Sequence, residues 1–346
     1  MKTLLGGDVW LAPSLLEDRD SLSVLQGQFS GYDLFVCNLE APCKTETPRE
    51  GRRALLHTEL DLLDKLNIGE VNVLLLGNNH MGDYGSEGVL CTVRECEARG
   101  FLVVGAGANL DEACKPVVVE VEQRRIAILS YSDTSAWVGA VAATETVPGV
   151  APLQPKIVKK NINSIRRDVD DVWLFLHWGH EFVRVPHPQQ RKLAKEFVSA
   201  GATLIIGHHQ HVALGCEDIG NISVYYGLGN FLFPDIPLQD NTKLQWGAVE
   251  RFSLAVTGII KNNRWYFVPL TLQLDDNGAP VLVNSFLTRW KLKRLLRMCS
   301  FSLSSKGGYY LLSTLENARI LLKKICNPKR LLGSIVWRLT TKTNSV

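Results

Sequence analysis

The sequence predicts a layered α/β fold built around a mainly parallel sheet, followed by a basic helical extension. Three observations predict it. Short apolar runs alternate with helical patterns over residues 1–285, most of these runs stop at polar or glycine-rich residues, and the charge balance reverses near residue 285.

The strand-like runs are TLLGG (3–7), DLFVCN (33–38), VNVLLLG (71–77), FLVVGAG (101–107), VWLFLHWG (172–179) and TLIIGHH (203–209). Helical patterns such as EGVLCTVRECEARG (87–100) and PQQRKLAKEFVSAG (188–201) lie between them. Strands joined by crossover helices form parallel sheets. Residues 116–131 and 248–274 lack such helices and read as antiparallel additions. The glycine-rich GAGANL (105–110) has neither GxGxxG nor GxxxxGK spacing, which argues against a nucleotide-binding loop.

Composition narrows the class. Apolar residues make up 46% of the 346 positions and charged residues 21%, as in a soluble globular protein. MKTLLGGDVW meets Asp8 before an export core can form, and no run approaches the length of a membrane span, so an intracellular protein is expected. Eight scattered cysteines without a CxxC pair read as reduced thiols in that compartment. From Arg289 onward there are thirteen Lys or Arg against one acid, Glu316, a net of +12; the preceding 288 residues carry a net of −9.

Polar groups collect where the strands end. Asp8 follows the first strand, Asn38 and Glu40 the second, and Asn78, Asn79, His80 and Asp83 the third. His177, His180 and Glu181 follow a later strand, and His208, His209 and His211 follow the next. In open α/β sheets the carboxyl ends of the strands line the ligand-binding edge. Carboxylate, amide and imidazole donors together suit zinc, manganese or iron, and the lack of cysteine among them argues against a structural zinc. Taken singly, the same residues also read as caps, turns or buried hydrogen-bonded histidines. In an extended GHHQH segment (207–211), His209 and His211 point to one side and His208 to the other.

The order GDVWLAP (7–13), CNLEAP (37–42), LLGNNHMGDYG (75–85), FLHWGHEF (175–182), GATLIIGHHQHV (201–212) and YYGLGNFLF (225–233) resembles the CapA-like capsule-synthesis family associated with poly-γ-glutamate, a branch of the calcineurin-like metallophosphatases. The resemblance implies central mixed β-sheets flanked by helices over residues 1–285. Residues 286–346 have no counterpart in it. It also implies one or two divalent transition metals (Mn, Fe or Zn), with Asp8, Glu40, Asn79, His177, His209 and His211 as ligands. Glu40 would stand in for a bridging aspartate, and Trp10 occupies a position where the wider pattern has a histidine donor. His80 becomes the acid–base residue. His208, Asp83, Glu181 and Asn230 become supporting or substrate-contacting groups. Arg184 reads either as a bidentate contact for a phosphate or carboxylate or as a surface arginine. Gln210 replaces a proline usual in this loop and is expected to alter its stiffness.

Such a site hydrolyses phosphoesters through a hydroxide that a metal pair generates at neutral pH, and it would polarise a γ-glutamyl amide equally well. The expectation is a metal-dependent hydrolase serving capsule or poly-γ-glutamate synthesis, with an anionic substrate or polymer as partner. The alternative is a non-catalytic assembly or export factor that binds the polymer in the same pocket. TRWKLKRLLRMCSFSL (288–303) and ENARILLKKICNPKRLLGSIVWRL (316–339) mix aliphatic, aromatic and basic residues. They read either as helices packed on the body or as amphipathic segments lying on the inner face of a membrane through residues 289–346. The acidic body argues against nucleic acid as the partner. Pro328 is expected to break the second helix.

Overall fold

The computed structural model describes residues 2–17, 19–135, 138–304 and 306–325. Six strands position the polar groups: β1 (Lys2–Val9), β2 (Tyr32–Leu39), β3 (Gly69–Leu75), β4 (Asp171–His177), β5 (Leu204–His208) and β6 (Asn230–Leu232). They fall into two mixed sheets where the residue pattern alone suggested one. The first runs Pro280–Leu282, Arg264–Leu274, Phe252–Lys261, β1, β2, β3, Leu102–Val104, with β6 also pairing with β1. The second runs Cys216–Ile219, Ile222–Tyr225, β5, β4, Arg124–Ser132, Val117–Val121. The two stretches expected to be antiparallel are hairpins, Val117–Val121 with Arg124–Ser132 and Phe252–Lys261 with Arg264–Leu274, each extending a parallel set.

Strand alternation explains why the runs are apolar throughout. Leu34, Val36, Trp173, Phe175, Leu204 and Ile206 fill one core shared by residues of both sheets. Their neighbours Phe35 and Cys37, and Leu174, Leu176 and Ile205, belong to two further cores. Strands covered on both faces need apolar residues at every position. Helices α1 (Arg19–Phe29) and α2 (Gly85–Ala98) cover the first sheet through Leu22, Leu25, Phe29, Val89 and Cys96. Helices α3 (Pro155–Ile165) and α4 (Pro188–Ala200) cover the second through Val158, Ile162, Ala194 and Phe197. The layers are therefore helices, sheet, sheet, helices.

Local signals set the helix ends. Pro188 occupies the first turn of α4, the His187 side chain accepts from the Gln189 N–H, and Gln190 reaches back to the His187 backbone. Gly201, at φ +122°, ends the helix in a conformation other residues resist.

The basic tail forms α5 (Phe286–Ser304) and α6 (Lys306–Ile325), both packed on the body. Leu295 of α5 enters the core shared by the sheets and Cys299 the core beneath α4. Tyr309 of α6 packs with Val183 and Val185. Pro328 and its expected helix break lie outside the described residues. Among those residues no helix is long and apolar enough to cross a membrane. Seven cysteines are free thiols; Cys326 is outside the described residues.

Candidate metal centre

Strand register assembles the site. Asp8 of β1 pairs with Asn38 of β2 on one side and with Asn230 of β6 on the other. In the second sheet His177 of β4 pairs directly with His208 of β5. Both sheets therefore end their parallel strands at the same place. Glycines permit the close approach. A Cβ on Gly7 would sit 1.9 Å from the Gly229 carbonyl oxygen, and one on Gly207 would sit 2.0 Å from that of Tyr226.

Two donor sets converge there. Glu40, His177 and His209 form one, and Asp8, Glu40 and His211 form the other; within each, ligand atoms lie within 4.8 Å of one another. Glu40 is common to both. Its Oε1 lies 3.4 Å from His211 Nε2 and 3.8 Å from His177 Nε2. That oxygen is buried and has no hydrogen-bond partner. Asn79 Oδ1 lies 2.9 Å from His177 Nε2, and His209 Nδ1 lies 3.2 Å from the same nitrogen.

The surrounding polar groups aim these donors. Asn38 Nδ2 donates to Asp8 Oδ1 at 2.8 Å and to Glu40 Oε2 at 3.2 Å, so one amide fixes both carboxylates. Asn78 in turn donates to Asn38 Oδ1 at 3.1 Å and to the Leu39 carbonyl at 2.8 Å. His211 Nδ1 lies 2.8 Å from Asn230 Oδ1 and donates its proton there, which leaves Nε2 as the lone-pair nitrogen facing Glu40. His208 Nδ1 lies 3.1 Å from Asp8 Oδ1 and steadies that carboxylate from the second sheet.

Asp83 and His80 form a separate pair beside the cluster. His80 Nδ1 is 2.7 Å from Asp83 Oδ2, and the same oxygen accepts from the Leu56 backbone N–H at 3.0 Å. Sequence reasoning missed Arg52, whose Nε donates to Asp83 Oδ1 at 2.9 Å and whose Nη2 donates to the Asn79 carbonyl at 3.3 Å. Only the run of two arginines in GRRALLH (51–57) hinted at it.

Electrostatics leave the donors poised for a cation. Burial pushes His177 well below the ordinary imidazole range, and the neighbouring histidines push it further. Burial also takes His209 down to about 4. Burial, then Asp8 and Glu181, push Glu40 well above the usual carboxylate range. For Asp8 burial is again the largest influence and acts upward, but the hydrogen bond and charge of His208, with the charge of His211, outweigh it and hold the carboxyl down. Neutral imidazoles and buried carboxylates with unused lone pairs are what a divalent ion requires.

Several expectations need correction. His209 and His211 do not share a side through strand alternation, because β5 ends at His208. They converge because both adopt left-handed backbone conformations, φ +96° and +54°. Gln210 stiffens this loop by donating to the Trp178 carbonyl at 2.7 Å and the Tyr226 carbonyl at 3.3 Å. Arg184 does not offer its fork to a substrate; Glu316 of α6 takes it in bidentate fashion, at 2.9 and 2.7 Å. Glu181 is exposed and acts on the cluster only through its charge. Trp10, in the place of a possible donor, packs on Phe233 and donates to the His57 carbonyl at 2.9 Å.

Among solved structures, the fold is similar to a hypothetical protein from Thermus thermophilus, with 13% identity, 79% of this chain and 99% of that one covered, and a TM-score of 0.48. It is also similar to a novel phosphatase from Mycoplasma pneumoniae, with 14% identity, 78% and 93% coverage, and a TM-score of 0.46. In sequence, the PGA biosynthesis protein CapA of Bacillus subtilis (strain 168) is 30% identical over 283 residues, 81% of this chain and 72% of that protein. The capsule biosynthesis protein CapA of Bacillus anthracis is 33% identical over 228 residues, 65% of this chain; the match spans about half of that relative, 53%. The family described as bacterial capsule synthesis protein PGA_cap matches residues 5–235, which carry every donor of the cluster. By that match, over more than half its length, the chain belongs to the bacterial capsule synthesis protein PGA_cap family.

Proposed function

We propose that the chain is a metal-dependent hydrolase that serves the synthesis of an anionic capsule polymer of the poly-γ-glutamate type. The observation that carries this reading is Glu40 Oε1, a buried carboxylate oxygen without a hydrogen-bond partner, shared by two donor sets. Such an atom is costly unless a cation completes it. Asp8, Glu40 and His211 would hold one divalent ion, and Glu40, Asn79, His177 and His209 a second. Oxygen and imidazole donors without thiolate fit Mn, Fe or Zn. When bound, such ions supply Lewis acidity and lower the pKa of water toward neutrality.

The chain's own residues do the rest. Asn38 holds the two carboxylates apart from solvent and in fixed orientation. Asn230 keeps the His211 proton on Nδ1. Asp83 keeps the His80 proton on Nδ1, so His80 Nε2 is the nitrogen that exchanges a proton with a bound ester or amide. Burial of the cluster excludes bulk water and strengthens every charge interaction within it.

Measurement of bound metal, with hydrolysis of a generic phosphomonoester, a phosphodiester and a γ-glutamyl oligomer, tests the reading. The expected result is bound transition metal and turnover of at least one of these bonds. His80→Ala is expected to lower that turnover by about 10²–10⁴-fold. Protein that binds no transition metal, and whose hydrolysis is unchanged in His209→Ala, would sink the proposal. Polymer binding without turnover, insensitive to His80→Ala, would replace it with a non-catalytic assembly or export role.

A further inference from the structure

Helices α5 and α6 present an unusual outer surface. On α5 the buried residues Thr288, Leu295, Cys299 and Ser302 lie along one face. Opposite them, at helical spacing, stand Phe286, Trp290 and Phe301, exposed by 84%, 49% and 49%. Between these aromatics the exposed face carries Arg289, Lys293, Arg294 and Arg297. Arg294 lies over the Trp290 ring, 5.7 Å from its centroid. The exposed stripe of α6 continues with Tyr310, Leu311, Leu315 and Leu321.

The one acid of the tail does not face this surface. Glu316 is 4% exposed and turned inward, paired with Arg184 and with Arg319. Arg319 also reaches Glu250 at 3.2 Å and the Phe182 carbonyl at 2.8 Å. The outward faces are therefore held by the body while offering apolar, positive and a few neutral polar groups, and no acid among the described residues. Beyond residue 325 the sequence adds Lys329, Arg330, Arg338 and Lys342 and no acid.

We propose that the outer face of α5 and α6 docks on the surface of an anionic lipid bilayer. Aromatic and aliphatic side chains would enter the headgroup boundary, with the basic residues of α5 against lipid phosphates. Charge complementarity selects this occupant. A second copy would set cations against cations. A nucleic acid would satisfy the cations of α5 but leave Leu311, Leu315 and Leu321 of α6 without apolar cover.

Sedimentation of the full chain with vesicles of phosphatidylglycerol and phosphatidylcholine, and with phosphatidylcholine alone, tests this. The expected result is binding to the anionic vesicles and not to the zwitterionic ones. Each cation near such a surface contributes about 1 kcal/mol, roughly fivefold in binding, so K293Q/R294Q/R297Q is expected to bind about a hundredfold more weakly. Trp290→Ser with Phe301→Ser is expected to weaken binding at unchanged Tm. Should that pair lower Tm, Phe286→Ser replaces it, since this ring contributes little to the fold at its exposure. No binding to anionic vesicles, or binding unchanged in both the charge and the aromatic variants, overturns the proposal. So does self-association in solution that the aromatic variant abolishes. Tighter binding to an oligonucleotide than to the vesicles, through the same cations, would reassign the face. Vesicle binding that persists in His209→Ala separates this surface from the chemistry proposed at the metal centre.

Discussion

Glu40→Gln gives the sharpest test of the shared-donor reading, because it predicts opposite consequences with and without metal. The substitution is nearly isosteric and keeps an oxygen for the Asn38 amide, which donates at 3.2 Å. In metal-free protein it removes a carboxylate that burial, Asp8 and Glu181 all disfavour as an anion. It costs no hydrogen bond at Oε1, which makes none. Stability of the metal-free variant should therefore equal or exceed that of metal-free wild type. With metal the order reverses. A single ion at a hundred times its Kd stabilises the native state by about 2.7 kcal/mol. Unfolding entropy near 2.1 cal/mol/K per residue gives about 0.7 kcal/mol/K for a chain of 346 residues, so one ion raises Tm by about 4 °C and two by about 7–8 °C. Glu40 belongs to both donor sets, so its loss should reduce both contributions. Thermal melts of chelated and Mn-loaded protein, with metal content read in parallel, decide the matter. A variant that keeps the full metal-induced shift refutes the shared role. A metal-free variant that melts several degrees below wild type refutes the claim that the carboxylate is unsatisfied.

Four further outcomes follow from named contacts. Asn230→Ala frees the His211 proton and is expected to weaken metal binding by about 10–100-fold in titration calorimetry. Asp83→Asn replaces the carboxylate that fixes His80 by a neutral amide with one oxygen for donors on both sides, so kcat should fall with KM little changed in whichever hydrolytic assay wild type supports. Burial alone would raise the Asp83 carboxyl, but the charge and hydrogen bond of His80 and the charge of Arg52 hold it below its ordinary 3.8. Its contribution to stability is thus present above that value and lost as pH falls through the depressed one, and Asp83→Asn should flatten this acid limb in urea titrations. Arg319→Ala breaks bonds to Glu316, Glu250 and the Phe182 carbonyl, and should cost about 2–3 kcal/mol by denaturant unfolding.

The donors were legible in the sequence because of how doubly covered strands are built. A strand such as β4, buried at every residue, carries its ionisable groups only at its two ends, Asp171 and His177, with an apolar run between them. His177 and His208 therefore stand out against the runs before them, as does Asp8 after TLLGG. What the pattern did not separate was one sheet from two. Parallel strands with apolar residues on both faces look alike whether they share a sheet or oppose one another, and β1–β3 and β4–β5 differ in nothing local that assigns them. The conformation of GHHQH was hidden for a related reason: positive φ at His209 and His211 is imposed by tertiary bonds from Gln210, not by local preference.

The two arginines resolve differently. Arg52 lies in an irregular stretch with no periodicity, and it reaches Asp83 because that stretch is tied down by the Arg49 N–H on the Asp83 carbonyl and the Leu56 N–H on its side chain. Beyond the bare pair of arginines in GRRALLH, nothing short of the folded loop announces it. Arg184 was visible, but its partner lies 132 positions away. A signal for that partner existed: one acid among thirteen bases, in a tail otherwise free to repel itself, has most to gain by turning inward. Glu316 does so, and by joining Arg184 and Arg319 it fastens α6 to the segment carrying Phe182. The Phe182 ring lies 6.2 Å from that of His211, and its N–H bonds the Gln210 carbonyl at 2.8 Å. The tail is thus one side chain removed from the GHHQH loop. Its inner face steadies the proposed metal centre, which leaves the apolar and basic outer face free for a different partner.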